Sequence, residues 1–211
     1  MTARSDPLGV RADFPVVENR VYLNSAYITP HPWQVAQVGQ QFLEAKATLP
    51  LSLEAMLEET NRTRESVARL IGASPREVGF LDSTSAAENV LARGLRLGPQ
   101  DNVVVDELHY DTTYLLYDRL REESGLELRV APQRDGAVDP AEVRALVDEN
   151  TRIVSVAWVA HQNGFRHDLR QLSEIAHSHD ALLYVDAIQG LGTLNLDVLS
   201  LIHIWTLPTK V

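Results

Sequence analysis

The chain has 211 residues, of which 45% are hydrophobic and 23% charged, and its formal net charge is −10. This composition is typical of a globular protein, long enough for one large domain or part of a two-domain enzyme. The acidic balance argues against a nucleic-acid-binding surface, because phosphate contacts need clustered Lys and Arg. The sequence contains no Cys, which excludes disulfides, thiolate metal sites and a Cys nucleophile within it.

Residues 1–20 are predicted to form a flexible lead-in. They contain no apolar h-region, so we expect no signal peptide. No apolar run in the sequence approaches the length of a membrane span. We therefore expect a soluble, cytoplasmic protein with neither a membrane nor a nucleic-acid partner.

Residues 21–72 are predicted to form an N-terminal loop and helices. Residues 21–25 are a short extended piece, and apolar residues recur at helical spacing in 33–47 and in Leu53–Ile71. A Gly follows the second of these segments, and a Ser-Pro turn comes next.

Residues 73–198 alternate between strand-like and helix-like segments. The predicted strands are 78–81, 102–105, 126–130, 153–159 and 182–185, and the predicted helices are 86–97, 112–122, 140–147 and 169–179. Asp139 and Asp168 are the expected N-caps of the last two helices. This alternation indicates an α/β fold with a largely parallel sheet that is covered on both faces.

The last of these strands is the most informative segment. Its apolar run ends in Asp186, and Gln189 follows three residues later. Open α/β sheets bind ligands at the carboxyl ends of their strands. Because a buried carboxylate is costly without a cationic or hydrogen-bonding partner, we predict that Asp186 meets one.

Three hydroxyl residues, Ser83, Thr84 and Ser85, lie between a predicted strand and a predicted helix. The free N–H groups of a helix start, its dipole and nearby hydroxyls together make an anion site. Ordinary N-capping explains the same residues. The Walker lysine and the G-x-G-x-x-G fingerprint are both absent. Phosphate binding and simple capping therefore both remain open.

Two other strand ends carry ring side chains and amides. His109 and Tyr110 follow the strand at 102–105, where a planar ligand could stack on a ring, although a lone His is more often a surface or half-buried residue. The strand at 153–159 is followed by a polar turn that contains His161, Gln162 and Asn163.

We expect no metal site. His161 with His167, or His177 with His179, could be read as ligands, but no set of His and carboxylates has a recognised spacing. The second pair lies at a helix end, where cations are favoured anyway. The polar groups at four strand ends instead suit one flat, phosphorylated, basic heterocycle.

Five segments together resemble the class V aminotransferase-like family of pyridoxal-phosphate enzymes, which includes cysteine desulfurases, isopenicillin-N-epimerase-like proteins and kynureninases. In chain order they are VYLNSAY, STSAAEN, DELHYD, NGFRHDL and YVDAIQ, and the resemblance covers about residues 21–198. It implies the three-layer α-β-α large domain of fold type I, with a mostly parallel sheet that is incomplete at the C-terminus.

The resemblance also implies a site for pyridoxal 5′-phosphate. Asp186 would pair with the pyridine nitrogen and keep it protonated, since a nearby anion raises the pKa of a base. His109 would stack on the ring, so these two residues are the catalytic candidates. The phosphate would be held by Thr84, Ser85 and the amide of Ala86.

The phenolic oxygen of the cofactor would accept a hydrogen bond from Gln189. The family often places an asparagine near the same oxygen, and the matching position here is His161. Because of this departure, Gln162 or Asn163 remains an alternative for that contact.

The family's catalytic lysine forms the Schiff base with the cofactor and moves the substrate proton. By spacing it would fall just past Val211, and Lys210, in TLPTKV, does not resemble its serine–histidine–lysine motif. We therefore expect a fragment truncated before this lysine and inactive as it stands. The parent would be a homodimer that acts on a small amino acid.

Residues 199–211 are predicted to be a non-native tail. Their first six residues, LSLIHI, are the peptide expected from translating a common transposon-type sequencing adapter. A divergent native strand is the alternative, and the underlying DNA sequence decides between them.

The type of reaction stays open among desulfuration, transamination, epimerisation and β-lysis, because these share one cofactor apparatus. The phrase NGFRHDL leans toward the epimerase-like branch by resemblance. Two other functions remain as alternatives: a lysine-less cofactor-binding or regulatory module, and a generic nucleotide-binding α/β domain.

Overall fold

The computed structural model describes residues 6, 8–50 and 52–198, which separate into two compact units between Arg62 and Thr63. The first unit contains a 3₁₀ helix (Arg11–Asp13), the short helix α1 (Val16–Asn19) and α2 (Trp33–Thr48). Helix α3 (Leu53–Ile71) has residues in both units. None of the described helices has the length and apolar character needed to cross a membrane.

The second unit is built on a four-stranded parallel sheet with the order β2-β1-β3-β4. The strands are β1 (Asn102–Asp106), β2 (Glu127–Ala131), β3 (Thr151–Ala157) and β4 (Leu182–Asp186). The predicted α/β fold with a parallel sheet is therefore confirmed. Every residue of β1 is buried, as expected for a central strand covered on both faces.

Four helices alternate with the strands, namely α4 (Thr84–Gly94), α5 (Asp111–Ser124), α6 (Pro140–Leu146) and α7 (Leu169–His177). The predicted caps of the last two are confirmed, because Asp139 accepts from the amide of Ala141, and Asp168 from that of Arg170. The starts of these helices are therefore defined by local hydrogen bonds.

The two faces of the sheet have separate apolar cores. Val103 and Val105 point to one face, where residues of α4 and α5 such as Ala92 and Tyr117 pack. The alternate residue Val104 points to the other face and packs with residues of α6 and α7, which include Val143, Leu172 and Ile175. Because side chains alternate along a strand, one run of valines supplies both cores of a three-layer α-β-α unit.

The predicted strand at 78–81 is wrong. These residues follow a 3₁₀ helix (Pro75–Glu77), but they pair with no strand of the described chain. The carbonyl of Val78 instead accepts from Arg64 Nε at 3.0 Å, and Phe80 lies under the Arg64 guanidinium. An extended apolar run becomes a strand only when another strand supplies its hydrogen bonds.

Candidate cofactor site

Two aspartates flank the carboxyl end of β3. Asp106 is the last residue of β1 and Asp186 the last of β4. The amide of Ala157 donates to Asp106 Oδ2 at 2.9 Å. The amide of the next residue, Trp158, donates to the main-chain carbonyl of Asp186, also at 2.9 Å. The end of β3 therefore fixes both neighbouring strand ends, at the edge of the sheet where α/β proteins bind ligands.

Asp186 keeps one carboxylate oxygen available. The residue is buried, with 7% of its surface exposed, and Oδ1 accepts from the amide of Ile188 at 2.9 Å. In the described part of the chain, no hydrogen bond or ion pair engages Oδ2. A buried carboxylate with a free oxygen and no cation suits a ligand N–H that carries positive charge.

Asp106 was missed as a site residue by sequence reasoning, although it ends a strand in the same way. Both of its oxygens are engaged, Oδ1 by the amide of Leu108 at 2.8 Å and Oδ2 by that of Ala157. His167 Nε2 lies 3.7 Å from Oδ2, too far for a hydrogen bond. Asp106 therefore organises the edge of the sheet, and Asp186 is the aspartate that can reach a ligand.

His109 is almost fully enclosed, with 1% of its surface exposed. The amide of Tyr110 donates to Nδ1 at 2.8 Å, and Nε2 lies 3.2 Å from Ser155 Oγ. Because Nδ1 is the acceptor, the neutral ring carries its proton on Nε2. The ring is therefore held at both nitrogens, and its face becomes accessible to a ligand only when neighbouring groups move.

A buried carboxylate, Glu88, lies behind His109. Ser155 Oγ donates to Glu88 Oε1 at 2.8 Å, and Thr113 Oγ1 donates to Oε2 at 2.7 Å. Burial, and then the charge of Glu88, raises the pKa of the Tyr117 and Tyr184 hydroxyls, which therefore stay protonated. The sequence signal was present, since Glu88 belongs to STSAAEN, but its role depends on side chains of two other elements.

The start of α4 combines capping with free amides. Ser83 is the N-cap, and its Oγ accepts from the amide of Ala86 at 3.1 Å. The Ala86 amide, one of the expected phosphate contacts, is therefore used by the cap in this conformation. The amides of Thr84 and Ser85 donate to no other described residue, which leaves them available to an anion at the helix start.

Two further contacts tie this helix start to the rest of the edge. Ser85 Oγ donates to Thr112 Oγ1 at 2.9 Å. The hydroxyl of Tyr184 reaches the carbonyl oxygen of Thr84 at 3.4 Å. Because Tyr184 lies two residues before Asp186 on β4, the open amides at the start of α4 and the free carboxylate belong to one connected framework.

The polar turn after β3 is divided between loop and surface roles. Asn163 donates from Nδ2 to the carbonyl of Gly136 at 2.8 Å and accepts from the amide of Phe165 at 2.9 Å, so its amide group stabilises the loop. His161 is exposed, and its ring meets that of Tyr110 edge-on, with centroids 5.1 Å apart. Of the two, His161 is therefore the side chain free to turn toward a ligand.

Gln189 is half-buried in the turn that follows Asp186. The next residue, Gly190, donates from its amide to the carbonyl of Ala187 at 3.0 Å and packs against the indole of Trp158. The main-chain amide of Trp158 also donates to the carbonyl of Asp186. Trp158 therefore contacts both ends of the turn, Asp186 through its amide and Gly190 through its indole ring.

The fold is that of the pyridoxal-phosphate enzymes of fold type I. The chain belongs to the aminotransferase class-V family, whose model matches residues 21–202. Pyridoxal phosphate is the cofactor of such enzymes. In chemical type, the free oxygen of Asp186 suits a basic ring nitrogen, and the open amides of Thr84 and Ser85 suit a phosphate; pyridoxal phosphate carries both groups.

Curated relatives align with most of this chain. A probable cysteine desulfurase of Methanothermobacter thermautotrophicus is 36% identical over 195 residues, which are 90% of this chain and 48% of the relative. The cysteine desulfurase IscS of Pectobacterium carotovorum is 28% identical, over 84% of this chain and 46% of its own. The chain therefore spans about half the length of these relatives.

Solved structures agree on the architecture. The cysteine desulfurase CsdA of Escherichia coli superimposes with a TM-score of 0.82 and is 25% identical, over 94% of this chain and 52% of that one. The apo cysteine desulfurase of Thermococcus onnurineus gives a TM-score of 0.83 at 24% identity, over 95% of this chain and 52% of that one. The predicted fold type I large domain is therefore confirmed.

Proposed function

We propose that this chain is part of the large domain of a pyridoxal-phosphate enzyme that acts on an amino acid, and that Asp186 binds the pyridine nitrogen of the cofactor. One observation carries the proposal: a buried strand-end carboxylate has one oxygen fixed by Ile188 and the other free of any partner in the described chain. The group that would meet it must be a hydrogen-bond donor, and a cationic one offsets the cost of burial.

The bound cofactor supplies an electron sink at the amino acid's α-carbon. The chain's own residues bind and orient it. Asp186 holds a proton on the ring nitrogen, since an adjacent anion favours the charged form of a base. The amides of Thr84 and Ser85 hold the phosphate at the start of α4.

The ring and its phenolic oxygen have proposed partners on three loops. His109 contacts the ring face once the groups that enclose it have moved. Gln189 donates to the phenolic oxygen, with His161 as the second group near it. Because Asn163 is engaged by its own loop, it is a weaker candidate for that contact.

The proposed reaction is the desulfuration of cysteine. The support is that the similar curated proteins are cysteine desulfurases or probable ones. Similarity to these proteins favours desulfuration over the epimerisation suggested by the segment NGFRHDL. By resemblance to the family, we further propose that the whole enzyme is a cytoplasmic homodimer.

The two lysines of the sequence are poor candidates for the Schiff-base residue. Lys46 belongs to α2, and Lys210 lies outside the described residues together with the predicted non-native tail. Neither lies in a motif like that of the family. We therefore propose that this stretch by itself binds the cofactor reversibly and does not catalyse the reaction.

Binding of pyridoxamine 5′-phosphate, measured by calorimetry, tests this function. The amine form has the same ring and phosphate but cannot form an imine with a stray lysine, so it reports on the pocket alone. We expect saturable binding with one site per chain and no competition by adenosine monophosphate. Preference for the nucleotide would instead support a generic nucleotide-binding domain.

A second arm tests the lysine. The chain is mixed with pyridoxal phosphate, reduced with borohydride and analysed by peptide mass spectrometry. We expect no stoichiometric label at a single lysine. Specific labelling of Lys46 or Lys210, abolished by excess pyridoxamine phosphate, would show that this stretch supplies its own cofactor-binding lysine.

A further inference from the structure

A continuous hydrogen-bonded chain joins Glu88 on α4 to His109 through Ser155 on β3. Ser155 Oγ donates its proton to Glu88 Oε1 at 2.8 Å and lies 3.2 Å from His109 Nε2. A hydroxyl has a single proton to donate, so Ser155 must accept from His109 rather than donate to it. The chain therefore has one direction, from the imidazole N–H through the hydroxyl to the carboxylate.

The chain is sealed from solvent. Glu88 is 2% exposed, Ser155 0% and His109 1%. No ion pair of the described residues includes Glu88, so hydroxyl groups are the partners that offset the cost of burying its charge. In such surroundings a satisfied polar network fixes the geometry of its members far more firmly than surface contacts do.

We propose that Glu88 and Ser155 are positioning residues that hold His109 as its Nε2–H tautomer and fix the plane of its ring. The amide of Tyr110 donates to Nδ1 from the other side of the ring, so the imidazole is clamped at both nitrogens. That His109 is the ring beside the cofactor rests on the proposed function. The tautomer and orientation follow from this chain's own contacts.

The variants separate positioning from packing. Ser155→Ala removes the acceptor for Nε2–H, and Glu88→Ala removes the acceptor that orients Ser155. Glu88→Gln keeps a carbonyl oxygen for Ser155 and offers an N–H to the hydroxyl of Thr113, which can rotate to accept it. A positioning role therefore predicts that Glu88→Gln behaves like the wild type and the two alanine variants do not.

The tautomer is read directly from the ¹⁵N shifts of histidine-labelled protein, with His109→Gln used to assign the signals. In the wild type we expect a protonated Nε2 and an unprotonated Nδ1 for His109. Ser155→Ala and Glu88→Ala should give averaged or exchanged shifts, and Glu88→Gln should restore them. The matched control is Ser173→Ala, which removes a different serine–histidine contact, 3.1 Å from Ser173 Oγ to His177 Nδ1 on α7, and should leave His109 unchanged.

Affinity for pyridoxamine phosphate is the second readout. Ser155→Ala should weaken binding about threefold to tenfold, the loss expected for one hydrogen bond, and Glu88→Gln less than about twofold.

Absence of binding by the wild type would contradict the proposed function and leave the tautomer result standing. Unchanged His109 shifts in a folded Ser155→Ala would overturn the positioning role. If both alanine variants fail to fold, a wild-type His109 that is imidazolium or protonated on Nδ1 overturns it.

Discussion

Gly190 lies so close to Trp158 that a Cβ on the glycine would be 2.5 Å from Cε3 of the indole ring. Real Cβ atoms do not approach a rigid ring so closely, and the tryptophan is itself buried in the core beside the sheet. The contact requires a glycine directly after Gln189, and it sets how the chain turns away from Asp186.

Gly190→Ala should therefore destabilise the protein by about 1–3 kcal/mol, the usual cost of overpacking. Urea unfolding gives the free energy. The matched control is Gly94→Ala, because a Cβ at that position on α4 meets no atom within 4 Å. Equal stability of the two variants would show that Trp158 moves aside easily and does not fix the turn.

The two strand-end aspartates should respond differently to the same substitution. Asp106→Asn leaves one of two donating amides without a good acceptor, since an amide side chain has one acceptor oxygen, and should cost about 1–3 kcal/mol. Asp186→Asn keeps the oxygen that accepts from Ile188 and should cost clearly less. Thermal or urea unfolding checks the order, and a larger loss for Asp186→Asn would contradict the assignment of structural and ligand-facing roles.

Ser83 offers a way to separate capping from phosphate binding. Ser83→Ala should cost about 1 kcal/mol of stability, because α4 loses its N-cap. Ser83→Asp restores a good cap but places a negative charge beside the proposed phosphate site. We expect it to fold as stably as the wild type and to bind pyridoxamine phosphate more weakly. If Ser83→Asp binds as tightly as the wild type, the phosphate is held elsewhere.

At the amino ends of the strands, opposite the candidate site, Asp148 should make the stability of the protein fall in acid. The hydrogen bond from Arg129 is the largest cause that lowers the pKa of Asp148, which falls to about 2. Burial opposes this shift, and hydrogen bonds from Asn102 and from the amide of Asn150 add to it. A carboxylate whose pKa is lower in the folded state stabilises the fold above its unfolded pKa of about 4 and loses that effect as the pH falls toward 2. Unfolding measured from pH 5 to 2 should show this loss.

Asp148→Asn is the control for that experiment. It removes the titrating group, so its stability should vary less with pH over the same interval than that of the wild type. An identical pH dependence in both proteins would assign the acid sensitivity to other carboxylates.

Elements determined by local interactions were predictable from the sequence. The helix Leu53–Ile71 was predicted with its observed ends, and Asp139 and Asp168 cap the helices that they precede. Helix periodicity and capping depend on residues within a few positions of each other. The apolar runs of β1 and β4 are likewise short and continuous, a pattern typical of strands in a parallel sheet.

Features that depend on distant partners were not predictable. The run at 78–81 is as apolar as a strand, but no strand of the described residues pairs with it. The sequence pattern of STSAAEN does not single out Glu88, because its contacts with Ser155 and Thr113 join residues far apart in the sequence. His109 was expected at an open strand end, and the fold encloses it.

The protonation state of the bound cofactor's ring nitrogen tests the central proposal most directly. Pyridoxamine phosphate labelled with ¹⁵N in the ring is bound to the wild type and to Asp186→Ala, and its nitrogen shift is followed against pH by NMR. Asp139→Asn, which keeps a helix cap away from the site, is the control. We predict a pyridinium shift in the wild type and the control at pH values where the ring nitrogen of the free ligand is unprotonated. In Asp186→Ala this shift should be lost. A neutral ring nitrogen in the wild type, or a pyridinium shift that survives in Asp186→Ala, would contradict the role proposed for Asp186.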